Sequence, residues 1–209
     1  RIRMPDTEPT QEDSVVPRLV EGRSCGSCNV CCVALTIDDP ALQKVQGYRC
    51  RHLKPDQGCG IYETRPHTCR TFFCGWRQLK WVRESLRPDT SGVLVELAGE
   101  IAPDGTKQLG VSIFLLTRAA LKAEGLAETV AAAVAARIPV FLTIPGPPGH
   151  TSARAKINAH LEPAVAAKDK AAVLAFLDQA QRKGRRGKSR RITFSGQSGQ
   201  PGVIQLDGG

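Results

Sequence analysis

The stretch Cys25-Gly26-Ser27-Cys28-Asn29-Val30-Cys31-Cys32 packs four thiols into eight residues, and Cys50, Cys59, Cys69 and Cys74 complete a set that does not recur in the rest of the 209-residue chain. Thiols this dense have three common reasons: disulfides, a metal, or redox chemistry. Repeated C-x2-C spacing favours a metal, because neighbouring thiolates converge on one ion with little loop to order. Soft thiolates suit Zn2+, iron–sulfur clusters and Cu(I). Eight of them could close two four-ligand sites, or one site plus a second set with another task. Consecutive side chains diverge from the backbone, so Cys31 and Cys32 are expected to serve two sites, or one to ligate while the other packs.

Spacing also ranks the metals. Cys25-x2-Cys28-x2-Cys31 matches three ligands of a bacterial ferredoxin-type cluster, but there the next cysteine follows after three residues and precedes a proline. Here Cys32 follows at once, which disfavours a simple electron carrier. Zinc ribbons pair two C-x2-C knuckles, and Cys69-x4-Cys74 is a wider second group that zinc still tolerates. The expected ligands are Cys25, Cys28, Cys31, Cys32, Cys50, Cys59, Cys69 and Cys74, holding an iron–sulfur cluster by preference and Zn2+ otherwise. His52 and His67 lie within the module, and with eight thiols present they read as surface or supporting groups.

The string C-x2-C-x2-C-C, the spaced Cys50, and Cys59-Gly60-Ile61-Tyr62-Glu63-Thr64-Arg65-Pro66-His67-Thr68-Cys69-Arg70-Thr71-Phe72-Phe73-Cys74 resemble a bacterial cysteine-cluster family described as zinc- or iron-chelating, which includes the flagellin lysine N-methylase. The likeness covers residues 25 to 76. It implies that Cys25, Cys28, Cys31 and Cys32 carry the first family motif, and that Cys59, Tyr62, Arg65, Pro66, Cys69 and Cys74 carry the second, with Cys50 between them. It implies metal binding more than any reaction. The methylase members carry a long additional region, and no glycine-rich S-adenosylmethionine loop follows a strand here. Gly146-Pro147-Pro148-Gly149 reads as a turn.

Composition sets the surroundings. The hydrophobic fraction is 41% with only 5% aromatic, and much of the former is alanine, so a metal would supply part of the folding energy. The formal net charge is +9. Eight thiolates and two Zn2+ would bring it to about +5. Lys44, Arg49, Arg51, Lys54, Arg65 and Arg70 are candidates to offset thiolate charge and donate to sulfur. Trp76, Trp81, Phe72 and Phe73 are expected to cover the centre, and Tyr62 with Arg65-Pro66 to fix the loop presenting Cys69. No stretch reaches the ~18 apolar residues of a membrane helix. Residues 1–20 lack the apolar run of a secretory signal. The chain is therefore read as cytoplasmic, without a membrane partner and with reduced thiols.

Along the chain, residues 1–24 read as a flexible lead-in, 25–90 as the cysteine module, 91–181 as an α+β portion, and 182–209 as a basic Gly/Ser-rich tail. Within the module, Asp39-Pro40 signals a short helix start, with Leu42 and Val45 inward and Gly47 ending it. Trp76 to Leu86 reads as an amphipathic helix stopped by Pro88. Val93 to Leu97 and Leu109 to Leu116 flank Pro103-Asp104-Gly105 as a hairpin. A helix is expected over about 118–137, a strand at Val140 to Ile144, and a helix from near Thr151 broken at Pro163 that restarts at Asp169. The expected fold class is α+β: a largely irregular metal-binding module packed against a β-hairpin and two or three helices.

Seven of the ten residues 182–191 are basic, a candidate nucleic-acid contact through phosphate charge. The chain contains no G-x-S-x-G elbow, H-E-x-x-H or phosphate loop. Three function classes follow. The first is a metal-binding protein that stores, senses or delivers metal or organises a protein partner's surface. The second is a protein-lysine methyltransferase-like enzyme with an iron–sulfur cluster, and the third a nucleic-acid-binding zinc module.

Overall fold

A computed structural model describes residues 18–55, 58–101, 104–195 and 203–206. Most of the lead-in and parts of the tail therefore lie outside the described residues. The cysteine module contributes only short elements: α1 (Cys31–Ala34), a two-residue ribbon of β1 (Leu53–Lys54) and β2 (Gly58–Cys59), α2 (His67–Thr71), α3 (Gly75–Gln78) and α4 (Pro88–Ser91). The larger part follows as β3 (Val93–Ile101), β4 (Lys107–Leu115), α5 (Leu126–Ala135), β5 (Val140–Ile144), β6 (Ala153–Lys156), α6 (Asn158–Ala166) and α7 (Lys170–Arg186). A separate ribbon joins β7 (Ile192–Ser195) to β8 (Val203–Leu206). Helices and a largely antiparallel set of strands thus form an α+β chain, as expected.

The sheet runs β3-β4-β5-β6. The β3–β4 hairpin pairs Val93 with Leu115 through to Ile101 with Lys107, as the two strand-like runs on either side of the turn anticipate. The β4–β5 pair is parallel, with α5 in the crossover, and β5–β6 is antiparallel. Register sets Val95, Ile113 and Leu142 side by side, and all three belong to one core with Leu126, Val130, Leu161 and Leu177 of the helices. Strand β5 is buried along its whole length, as befits a central strand.

Several expectations give way. The run Trp76 to Leu86 buries Val82 and Leu86 completely and Trp76 nearly so, yet it is not one helix. The buried Arg23 guanidinium donates to the carbonyls of Trp76 (2.6 Å), Leu79 (3.3 Å) and Val82 (2.8 Å), capturing acceptors that a continuous helical ladder would use. Only α3 and a 3-10 turn at Glu84–Leu86 form there, and Pro88 begins α4 instead of ending a helix. Second, Ala153–Lys156 is an edge strand on β5 rather than helix, and α6 runs through Pro163 to Ala166. Third, the Asp39 signal makes a single capped turn: its carboxylate accepts from Ala41 N at 3.0 Å, and Gln43 already has φ +40°. The first residues of the basic run belong to α7, which ends at Arg186.

The expected helix over 118–137 splits into a 3-10 turn at Ala119–Lys122 and α5. Gly125 sits between them at φ +81°, where a Cβ would stand 2.7 Å from the Arg83 Cβ. Backbone strain and that clash act together. Gly125→Ala is expected to lower the unfolding free energy by ~2 kcal/mol, read from a denaturant melt.

Candidate metal centre

The cysteine module is built on turns rather than regular elements. Cys28 N–H closes a turn on Cys25 O (2.8 Å), and Cys32 N–H closes the next on Asn29 O (2.9 Å). Gly26 supplies φ +49° in the first of these. Cys50 N–H then reaches back to Cys32 O at 2.9 Å. All eight cysteines are unbridged.

Cys25, Cys28, Cys31 and Cys74 share one neighbourhood. Cys74 packs against the main core, and burial raises its thiol, opposed by the nearby backbone N–H groups of Arg77 and Trp76. Burial likewise raises Cys28, opposed by the backbone N–H groups of Val30 and Asp89. Arg77 donates from Nη1 to Cys25 Sγ at 3.5 Å, and Arg87 from Nη2 to Cys25 O at 3.0 Å. The buried Arg77 Nε has no hydrogen-bond partner among the described residues.

The second neighbourhood holds Cys32, Cys50, Cys59 and Cys69. Cys50 forms a small satellite core with Leu42 and Leu53, against which Cys32, Val33, Ile37 and Cys69 pack. Cys59 lies opposite Leu53 in the β1–β2 ribbon. Lys44 is buried here, at 6% exposure, and its Nζ donates to Val33 O (2.9 Å) and to Leu35 O. Burial lowers the Lys44 ammonium to about 8, opposed by the charges of Cys32, Cys50, Cys31 and Cys69. Burial raises Cys69, and the charges of Cys32, Cys50, Asp39 and Cys59 push the same way.

The two neighbourhoods meet at the adjacent pair. A hydrogen bond between the Cys31 and Cys32 thiols raises Cys31, with burial adding to the effect. The same bond, helped by Lys44 and Arg65, lowers Cys32 to about 7 despite burial. Ionisation of one thiol therefore holds back the other.

The supporting residues divide. Arg65 Nε donates to Tyr62 O at 2.7 Å, and its guanidinium lies 3.6 Å from the Tyr62 ring centre, tying the loop that leads to Cys69. Tyr62 itself is exposed. Arg49, Arg51, Lys54 and Arg70 are also exposed. Trp76 is buried and donates to Glu84 O at 3.0 Å. Its neighbours Phe72, Phe73 and Trp81 are half-buried. His52 meets Arg51 Nε at 3.2 Å, and His67 is exposed at the start of α2. Sequence reasoning missed Arg77 and Arg87, which lie beyond the motif and reach Cys25 only because the chain folds back.

As they stand, no three His, Cys, Asp or Glu side chains among the described residues converge closely enough to hold an ion. The donor set nevertheless suits a soft metal, with eight unbridged thiols and the Arg77 guanidinium on Cys25 Sγ. No family model matches this chain, and no curated protein or solved structure matches it either.

Proposed function

We propose that this chain is a metal-binding protein whose thiolates hold an iron–sulfur cluster or Zn2+. The observation that carries this reading is the burial of Lys44 beside Cys32, Cys50 and Cys69 with only backbone carbonyls as acceptors. A buried ammonium costs several kcal/mol unless an anion compensates it. Thiolates supply that anion, and a bound metal is what keeps thiols ionised in a site this dry. An iron–sulfur cluster would bring redox chemistry and zinc a structural cross-link, while Lys44, Arg65 and Arg77 balance charge. The corresponding role is to store, sense or deliver metal, or to organise a protein partner's surface.

Anaerobic purification followed by metal analysis and an absorption spectrum on one sample tests this. Iron with matching sulfide and visible colour, or colourless protein with bound zinc, is expected. Metal-free protein after expression in metal-replete medium counts against the reading.

A second reading, nucleic-acid binding, draws on one surface. Arg182, Lys183, Arg185, Arg186, Lys188 and Arg190 are exposed, with an Asp178 carboxylate 2.6 Å from Arg182. On that reading, replacing Lys183, Arg185 and Arg186 with serine weakens binding to a 20-nucleotide RNA. It also flattens the salt dependence by about two to three phosphate contacts. Unchanged binding and salt slope would remove this surface from consideration.

A further inference from the structure

Resting on the metal-binding reading, we infer that the module holds two adjoining metal centres, one on Cys25, Cys28, Cys31 and Cys74, the other on Cys32, Cys50, Cys59 and Cys69. Packing makes the division. Cys32, Cys50 and Cys69 belong to the satellite core around Leu42 and Leu53. The ladder sets Cys59 against Leu53. Cys74 instead belongs to the main core, at the start of α3. There Arg77, three residues on, has its N–H on Cys74 O at 2.9 Å and its guanidinium on Cys25 Sγ at 3.5 Å. Cys74 is thereby brought to the opening Cys25–Cys28 turn and away from its nearest cysteine in sequence, Cys69.

The turns agree with the packing. Cys28 N–H closes on Cys25 O at 2.8 Å, and Cys50 N–H reaches Cys32 O at 2.9 Å. Each set contains four thiols, the number a closed tetrahedral zinc site or an iron–sulfur cluster takes. A cation lies by each: Arg77 on Cys25 of the first, and Lys44, buried on the Val33 and Leu35 carbonyls just after Cys32, by the second. The Cys31–Cys32 pair is the wall between them. The order is nested, since the second set falls entirely between the first and last ligands of the first.

Anaerobic Zn2+ titration of reduced protein against a chromophoric chelator tests the assignment. Wild type is expected to take two equivalents. The Cys25→Ser/Cys74→Ser and Cys50→Ser/Cys69→Ser variants should each take one, and Cys28→Ser/Cys59→Ser should take none tightly. Far-UV circular dichroism checks that the sheet and α7 remain. To keep the test independent of a variant that loses the module outright, wild type loaded with one equivalent is also alkylated and read as intact chains by mass spectrometry. Chains carrying four labels should bear them on one complete set. Labels mixed across the sets, or a single equivalent in wild type, would overturn the two-centre assignment while leaving metal binding intact. No Zn2+ and no iron in wild type would instead overturn the underlying reading.

Discussion

Withdrawing metal from the native protein with a strong chelator is expected to erase hydrogen-exchange protection across the cysteine module while the sheet keeps its own. The amides of Ile37, Cys50, Leu53 and Gly60, bonded to Lys44, Cys32, Cys50 and His52 carbonyls, should exchange as in an unfolded chain. Val111 to Leu115 and Val140 to Ile144 should not. The asymmetry follows from where apolar surface is buried. Residues 25–73 have Leu42, Cys50 and Leu53 as a core of their own, whereas the sheet shares a core with Trp76, Val82 and Leu86 and with α5, α6 and α7 that includes Leu126, Val130, Leu161 and Leu177. At ~25 cal/mol per Å2, three buried side chains cannot offset the ordering entropy of some fifty residues. A structural zinc site can contribute ~10–16 kcal/mol at neutral pH. Equal protection with and without chelator would mean that the module folds on its packing alone.

The second large effect is expected from Lys44→Glu. This exchange places a carboxylate at a site of 6% exposure between the Val33 and Leu35 carbonyls and beside Cys32, Cys50 and Cys69. Like charges then face one another where water cannot screen them, at a cost of ~3–5 kcal/mol. The variant should lose metal at the second set of thiols and expose Cys50 to alkylation. Lys44→Met is the control: it keeps the stem's packing and removes the charge, so the fold should survive with weaker metal retention. If Lys44→Glu retained metal as wild type does, Lys44 would not be the countercharge of a thiolate centre.

Parts of the fold were legible for plain physical reasons. The hairpin announces itself by the β-branched and leucine run Val93 to Leu97 and by Asp104-Gly105, where Thr106 N–H donates to the Asp104 carboxylate at 2.9 Å. Helix α7 is legible from Val173 and Leu177 on one face and from its Asp169 cap, which accepts from Ala172 N–H at 2.9 Å. Strand β6 was not, because Ala153-Arg154-Ala155-Lys156 has little strand preference of its own and is held by pairing with β5. The helix expected over Trp76 to Leu86 failed for a tertiary reason: Arg23, far away in sequence, takes its carbonyls.

The site divides in the same way. Spacing singled out all eight cysteines and the awkwardness of Cys31 beside Cys32. It did not show that Cys74 returns to Cys25, because that approach depends on α3 packing against Val95, whose side chain a Cβ on Gly75 would meet at 2.6 Å. Nor did it show Arg77, whose role depends on the same return.

The measurement that bears most directly on the central claim is a count of reactive thiols in anaerobically purified native protein, before and after chelation. Seven of the eight cysteines are only partly buried, with Cys50 alone buried, so geometry by itself would leave most of them open to a small alkylating reagent. The account predicts that few thiols react until the chelator is added, and that all eight then react together with loss of metal. Rapid labelling of seven or eight thiols in the untreated protein would contradict it.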